Sequence, residues 1–175
     1  MVLYRRNRVP GGAYFFTVTL LNRRASTLVD HIDALREAVR QALRKAPFRI
    51  DAWVVLPDHL HALWTLPAGD DDYSGRWRFI KARFTHRLVK SGLPLRRNPR
   101  GEYALWQPRF WEHTLRDEGD FSRHADYVHY NPVKHGLVSR VGDWPYSTFH
   151  RYVREGLYPP DWGSTATEFP GDYGE

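Results

Sequence analysis

Residues 49–66 read RIDAWVVLPDHLHALWTL. Two runs rich in β-branched and aromatic residues, Arg49–Leu56 and His59–Leu66, lie on either side of Pro57-Asp58, which indicates a tight turn. Strands separated by so few residues pair as an antiparallel hairpin. The stretch therefore predicts two neighbouring antiparallel strands, around which the remaining elements must pack.

The second strand of this hairpin carries two histidines on one face. Residues i and i+2 of a strand point the same way, so His59 and His61 should stand side by side, with Leu60 pointing into the core behind them. Two imidazoles in this arrangement can hold one divalent ion. Two exposed histidines without a metal give the same pattern, so the pair alone is weak support for a metal site.

The segments on both sides of the hairpin predict alternating strands and helices. Strand-forming runs and helical periodicity follow one another as strand, helix, strand, strand, helix, strand, helix, which predicts an α+β fold. The best match is a ferredoxin-like antiparallel β-sheet with packed α-helices. The further strands are expected at Tyr14–Leu21 and Phe110–Leu115, and the helices after a capping Asp30, over Ser74–Val89, from Asp120 to near Asn131-Pro132, and within Trp144–Val153.

Length and charge divide the chain into a body and a tail. Its 175 residues suit a single domain over residues 1–154, followed by an acidic, loosely ordered C-terminal tail over residues 155–175. The net charge of +6 divides into −5 in the tail and +11 in the body. A body this basic favours a polyanionic partner, most simply nucleic acid, over a merely solubilising surface charge.

Positive charge clusters in an N-terminal arm and in residues 76–100, which contain Lys and Arg but no acid. Such cations hold the phosphate backbone of DNA, which positions the DNA without reading its sequence. The candidate DNA contacts are Arg5, Arg6, Arg8, Arg76, Lys81, Arg83, Arg87, Arg96 and Arg97.

The composition excludes several classes of protein. Without any cysteine the chain has no disulfide, thiolate metal site or cysteine nucleophile. It has no apolar run of about 20 residues for a membrane span, and its first residues lack the apolar core of a secretory leader. It has neither a P-loop nor a GxGxxG motif, so we expect no nucleotide cofactor. The expected location is the cytoplasm, in association with the nucleoid.

The last predicted long helix carries a second set of polar side chains. Spacings of three and four place His124, Tyr127 and Asn131 on one stripe. Tyr127 offers an oxygen nucleophile and Asn131 a neutral oxygen ligand. A phenol with an unperturbed pKa of about 10 needs help from a nearby cation or a metal-polarised electrophile. A structural tyrosine is the commoner reading of such a residue, and Tyr130 is an internal competitor without the four-residue spacing to an amide.

Ordered motifs along the chain resemble one family. His59-Leu60-His61, after Val54–Asp58, resembles the His–hydrophobic–His (HUH) motif of single-tyrosine transposases, and Tyr127–Val138 resembles their nucleophile helix. Further segments are similar to one branch, the REP-associated tyrosine transposases, and the resemblance covers about residues 4–150. These segments are Arg5-Arg6 with residues 11–19, then residues 69–74, 80–85, 106–113 and 144–147.

The resemblance implies a metal-dependent enzyme that cleaves and joins single-stranded DNA at or near a hairpin. It implies a Mg²⁺ or Mn²⁺ site with His59 and His61 as ligands, and Asn131 where insertion-sequence relatives carry the longer Gln. It implies that Tyr127 forms a covalent 5′-phosphotyrosine and leaves a free 3′-hydroxyl. A monomer and a homodimer are both compatible with the family.

Three other functions stay open at this stage. The first is a non-catalytic hairpin-DNA-binding protein of the same fold, and the second is a nicking enzyme that does not rejoin strands. The third is a basic RNA-binding domain. Glu112, His113 and His124 are further candidates for acid–base groups, although Glu112 and His113 alternate along a strand and at most one should face the site.

Overall fold

A computed structural model of the chain describes residues 6–164, in which four antiparallel strands form one sheet. The strands lie in the order β2-β3-β1-β4. With one helical segment between β1 and β2 and another between β3 and β4, this is the ferredoxin-like arrangement, so the predicted fold class is confirmed. The strands are β1 (Ala13–Thr19), β2 (Arg49–Val55), β3 (His59–Thr65) and β4 (Trp111–Thr114).

The two faces of the sheet carry different layers of helices. The helices are α1 (Thr27–Asp30), α2 (Ile32–Lys45), α3 (Tyr73–Lys90), α4 (Glu118–Lys134) and α5 (Phe149–Arg154), with a 3₁₀ turn at Val141–Asp143. On one face, α2 and α3 complete a hydrophobic cluster that contains Trp64 and Trp77. On the other, α4 and α5 complete a second cluster that contains Phe15 and Val128.

The core on the α2–α3 face is built from aromatic rings. The rings of Trp64 and Trp77 stack with centroids 4.2 Å apart, and Trp53 stacks on Trp77 at 5.8 Å. Phe16 closes the group from β1, edge-on to Trp64 at 4.9 Å. Large aromatic rings bury much apolar area per residue, so this layer supplies much of the hydrophobic stabilisation.

Strand register places the two histidines of the hairpin on the α4 face. In the β1–β3 pair, His61 lies opposite Thr17 and His59 opposite Thr19. In the β1–β4 pair, His113 lies opposite Phe15. Because facing residues of paired strands point to the same side, both pairs bring polar side chains under α4.

The first helical segment differs from the prediction. Asp30 does not cap a helix, since the short helix α1 begins at Thr27 and Asp30 is its last residue. The Asp30 carboxylate instead accepts a hydrogen bond from the Ser26 hydroxyl. The apolar periodicity located the longer helix α2 correctly and could not show the separate turn before it.

Helix α4 extends beyond the predicted bounds at both ends. It begins at Glu118, because the Asp117 side chain accepts from the Asp120 N–H at 2.7 Å and caps it one turn earlier. It continues past Pro132 to Lys134. A proline lacks one backbone donor, but so close to a helix end it leaves the last turn intact, and the N–H of His135 still bonds to the Asn131 carbonyl at 3.0 Å.

The start of the predicted tail contacts the body. The ring of Tyr158 stacks on Trp162 at 4.4 Å and lies 5.9 Å from the ring of Phe149. The domain boundary at residue 154 stays a prediction. Arg5 and residues 165–175 lie outside the described residues. Across residues 6–164, no helix is long and apolar enough to cross a membrane.

Candidate active site

His59 and His61 stand side by side at the centre of the α4 face. Their ring centroids lie 5.0 Å apart with the planes nearly perpendicular. Both side chains are buried, at 1% and 0% exposure. Among the described residues, His59 Nε2 is enclosed without a hydrogen-bond partner. A buried ring nitrogen without a hydrogen-bond partner has a lone pair that a metal ion could bind.

Asp58 fixes the orientation of His59. Its carboxylate oxygen lies 2.8 Å from His59 Nδ1, and Arg23 Nε donates to the other oxygen at 2.6 Å. Burial alone would raise the pKa of Asp58, but the hydrogen bonds from His59 and Arg23 outweigh it and hold the pKa below its usual range. An ionised carboxylate accepts the proton of Nδ1, so the lone pair of His59 is on Nε2.

A cleft of about 270 Å³ opens beside His59. Its lining includes Asp58, His59 and His135, together with the cations Arg23 and Arg24. The His135 ring lies 5.0 Å from that of His59. A cleft with two guanidinium groups suits a phosphate close to the imidazole pair.

Tyr127 lies directly against His61. The two rings are 5.3 Å apart and meet edge to face, and Tyr127 is 1% exposed. Lys134 Nζ donates a hydrogen bond to the Tyr127 hydroxyl at 2.9 Å. Since the Lys134 side chain is exposed, the phenolic end of this buried tyrosine lies towards the surface. Lys134 therefore places a cation beside the Tyr127 hydroxyl from the same helix, two turns further on, as a tyrosine nucleophile would need.

Asn131 follows Tyr127 by one turn and is fully buried. The structure thus brings together His59, His61 and Tyr127 and places Asn131 on the same stripe of α4. Two imidazoles and a carboxamide oxygen are a donor set that a divalent ion accepts. The orphaned His59 Nε2 and the carboxylate behind His59 both fit such an ion.

Tyr130 does not share this environment. Its ring lies 6.5 Å from that of Trp162, at the start of the predicted tail. Helical geometry turns Tyr130 away from Asn131, and for the same reason Tyr130 faces away from the histidine pair.

A second polar cluster lies on the same face of the sheet. His113, Asp120 and His124 bring one possible metal-ligand atom each to within 4.8 Å of one another. Burial alone would raise the pKa of Asp120, but hydrogen bonds from His113 and from the Arg116 N–H hold it at about 2. Burial lowers the pKa of His124. Glu112 points to the opposite face, next to Phe16, so of the two neighbours only His113 faces the site.

The predicted DNA contacts on α3 lie on the other face of the sheet. Lys81 is half-buried, and its Nζ donates to the Gln107 carbonyl at 2.8 Å; burial, followed by nearby Arg6, lowers the pKa of Lys81 to about 8. The Arg6 guanidinium lies 4.0 Å from the ring centre of Phe110. Arg76 is 5% exposed and hydrogen-bonds Asp70 and nearby carbonyls, an environment that disfavours it as a DNA contact.

The other predicted cations are more accessible. Arg8 lies 3.5 Å from Asp71, Arg83 donates to Gln41 at 2.7 Å, and Arg87 lies 3.6 Å from Glu37. Arg96 is exposed, and Arg97 donates to the Tyr103 hydroxyl at 2.8 Å. All five remain available in part to an anionic partner.

Comparison with known proteins assigns the family. The model of a family described as "Transposase IS200 like" matches residues 12–131, which is more than half of the chain. The chain belongs to the IS200-like transposases. The matched range runs from the start of β1 to Asn131 and includes His59, His61 and Tyr127.

Relatives place the chain near one branch of the IS200-like transposases. It is 51% identical over 166 residues to the REP-associated tyrosine transposase of Escherichia coli (strain K12), covering 95% of this chain and 93% of that protein. A relative from Haemophilus influenzae is 47% identical over 162 residues, covering 91% and 92%. A solved structure of a REP-associated tyrosine transposase bound to a REP hairpin superposes with a TM-score of 0.86, at 51% identity, over 100% of this chain and 98% of that one.

Transposases of this family are generally metal-dependent, which agrees with the two groups of candidate ligands on the α4 face. Sequence reasoning missed Lys134, Arg23 and Arg24. Lys134 follows Tyr127 by seven residues, a spacing that returns to the same helix face, but the expected helix end at Pro132 concealed it. Arg23 and Arg24 belong to a loop, and nothing local indicates that the loop folds back over His59.

Proposed function

We propose that this chain is a metal-dependent single-stranded DNA endonuclease and strand transferase. It acts at hairpin DNA of the REP type through a covalent 5′-phosphotyrosine on Tyr127. The observation that carries the proposal is the contact of Tyr127 with His61 on one side and with Lys134 on the other. The hairpin in the similar solved structure and the tyrosine in the name of the Escherichia coli relative support it.

The proposed step exchanges one phosphoester for another. Tyr127 Oη attacks the phosphorus of a phosphodiester, the bond from phosphorus to the 3′ oxygen breaks, and the 5′ phosphate stays on the tyrosine. The phenolic proton passes to solvent, and the departing 3′ oxygen takes one up. Attack by another 3′-hydroxyl reverses the step and joins strands, so no nucleotide is needed to supply energy.

Three groups would hold a Mg²⁺ or Mn²⁺ ion: His59, His61 and Asn131. When bound, the ion supplies a Lewis acid that polarises a non-bridging phosphate oxygen. Asp58 keeps His59 in the tautomer whose Nε2 is a ligand. Lys134 stabilises the phenolate through a charge-assisted hydrogen bond, which lowers the free energy needed to remove the proton.

The proposed DNA path crosses an edge of the sheet. Cations on α3 and the catalytic residues under α4 lie on opposite faces, so a DNA that contacts both must pass one edge. The outer edge of β2 is covered by residues 146–148, since the N–H of Val55 bonds to the Tyr146 carbonyl at 2.9 Å. The β4 edge is the alternative, and Arg6 lies at its start against Phe110.

Covalent trapping tests the proposal. The full chain is incubated with 3′-labelled single-stranded DNA that carries a REP-type hairpin and its flanks, with Mn²⁺ or with EDTA, and analysed on denaturing gels. We expect a metal-dependent labelled protein band that is lost in Tyr127→Phe. Tyr130→Phe is the matched control and should keep the band. No band in the presence of tight hairpin binding would overturn the proposal in favour of a non-catalytic hairpin-binding protein.

Two further arms separate the remaining alternatives. An acceptor strand with a free 3′-hydroxyl should convert the trapped band into joined DNA; a stable band without joined product would indicate nicking alone. Preference for an RNA of the same sequence, with no adduct on DNA, would indicate the RNA-binding reading. The proposed cleavage requires DNA to be accessible, which agrees with a cytoplasmic, nucleoid-associated protein.

Mixing two inactive variants distinguishes a monomer from a homodimer with shared sites. If one site takes residues from two chains, a mixture of Tyr127→Phe and His61→Gln chains should regain covalent adduct. If each site is built by a single chain, the mixture should stay inactive.

A further inference from the structure

The cluster of His113, Asp120 and His124 is separate from the candidate active site. The ring of Phe15 lies between them, 5.4 Å from the ring of His61 and 4.9 Å from that of His124. His113 comes from β4, whereas Asp120 and His124 come from the first two turns of α4. The cluster therefore joins a strand to the helix that carries the nucleophile, at the opposite end of the helix from Asn131.

Its candidate ligand atoms all lie within 4.8 Å of one another. His113 Nε2 lies 2.8 Å from one Asp120 carboxylate oxygen, and His124 Nδ1 lies 3.3 Å from the other. His124 Nδ1 also lies 2.8 Å from the backbone carbonyl oxygen of Asp120, a hydrogen bond that it must give up to bind an ion. Tetrahedral ligands held at about 2.0–2.2 Å from one Zn²⁺ ion lie roughly 3.3–3.6 Å from each other, so small movements of these side chains would bring the three atoms around one ion. The two imidazole rings are stacked 4.7 Å apart, so both edges are presented to the carboxylate together.

The cluster is more buried than a surface ion-pair network. Asp120 and His124 are 2% and 3% exposed, while His113 is half-buried and forms the open side. Arg116 and Arg123 also approach the Asp120 carboxylate, at 3.4 and 3.5 Å. Their side chains are mostly exposed and can turn into solvent, so they balance the carboxylate in the absence of an ion without blocking one.

We propose that His113, Asp120 and His124 hold a second divalent transition-metal ion, of which Zn²⁺ is the expected representative. Two imidazoles and one carboxylate are a donor set typical of zinc sites. Bonds to the ion would replace the hydrogen bonds inside the cluster, and the ion would hold the first turns of α4 against β4. It would thereby position the helix that bears Tyr127, two turns further on, without touching DNA.

Metal binding by the full chain tests this proposal independently of DNA cleavage. The background variant His59→Gln/His61→Gln removes the other imidazole pair, and bound Zn²⁺ is counted after equilibrium dialysis at pH 7.5. We expect one ion per chain. Loss of an outer-shell partner weakens metal binding about 10–100-fold. Adding His113→Gln removes a direct ligand, so it should weaken Zn²⁺ binding by more than that. His113 is the most accessible of the three residues, so its replacement should leave the fold intact, which circular dichroism checks.

A surface histidine provides the matched control. Adding His86→Gln, at an exposed position of α3, should leave the bound Zn²⁺ unchanged. With Co²⁺ as a spectroscopic probe, the background variant should show visible absorption bands that His113→Gln removes. Fewer than about one ion per ten chains in the background variant, or equal Zn²⁺ affinity with and without His113, would show that the cluster is a hydrogen-bonded network only. Neither result would bear on covalent trapping by the wild-type chain.

Discussion

Lys134→Met removes the ammonium group that donates to the Tyr127 hydroxyl while keeping a side chain of similar length. A hydrogen bond to a charged group contributes about 1.5–3 kcal/mol. Solvent screens an exposed cation, and Lys134 is exposed, so we take the lower end, about 1.5 kcal/mol. If that interaction is made fully with the phenolate, the rate of attack should fall about tenfold.

Single-turnover kinetics of adduct formation measure this effect. Saturating hairpin DNA gives the maximal rate, and a titration of DNA gives the concentration at half-saturation. We expect a maximal rate about tenfold lower in Lys134→Met with little change in half-saturation, and partial recovery in Lys134→Arg. An unchanged maximal rate with weaker half-saturation would refute the reasoning, because it would make Lys134 a contact to DNA phosphate.

Lys90→Met is the matched control for this experiment. Lys90 occupies the last turn of α3 as Lys134 occupies the last turn of α4. Both substitutions remove a cation that is favourable at a helix C-terminus, by about 0.3–1 kcal/mol of stability. Equal small losses of stability with unequal losses of rate would separate the helix effect from the contact with Tyr127.

Three further outcomes follow from other contacts. Asp58→Asn should weaken Mn²⁺ binding at His59 about 10–100-fold, measured by titration of the metal, because the amide no longer fixes the ring tautomer. Lys81→Met should reduce the slope of log affinity against log salt by about 1 in hairpin-binding assays. The wild-type chain should lose affinity as pH rises through about 8, where Lys81 loses its charge, and Lys81→Met should not show this loss. Burial lowers the pKa of His129 to about 3. The free energy of unfolding should therefore fall as pH drops from about 6.5 towards 3, by up to about 1.4 kcal/mol per pH unit. Chemical denaturation of His129→Gln should show a flatter dependence of this free energy on pH.

The hairpin could be predicted from the sequence because its information is local. The two runs around Pro57-Asp58 determine both the strand pair and the face on which His59 and His61 lie, and the register confirms that face. The stripe that joins His124 to Tyr127 is equally local, since helical spacing alone defines it. Local spacing could not show which face of the sheet α4 covers.

Contacts between distant segments explain what the sequence did not reveal. The loop that carries Arg23 reaches Asp58, 35 residues away, and Arg76 turns inward to the carbonyl of Pro47. Neither contact leaves a periodic signal. Counting charge along α3 includes Arg76, which is 5% exposed, because a charge count does not distinguish a buried guanidinium from an exposed one.

The two faces of the sheet differ in the polar side chains that they bury. The α2–α3 face is filled by stacked aromatic rings such as Trp64 and Trp77. The α4 face buries His59, His61 and Asn131 instead. Burying polar groups costs free energy unless each finds a partner, and a face that served only as a core would hold aliphatic side chains in their place. Burial of apolar side chains on both faces offsets that cost, in the aromatic layer on one side and in the cluster of Phe15 and Val128 on the other, so the chain can keep a line of polar side chains beneath α4.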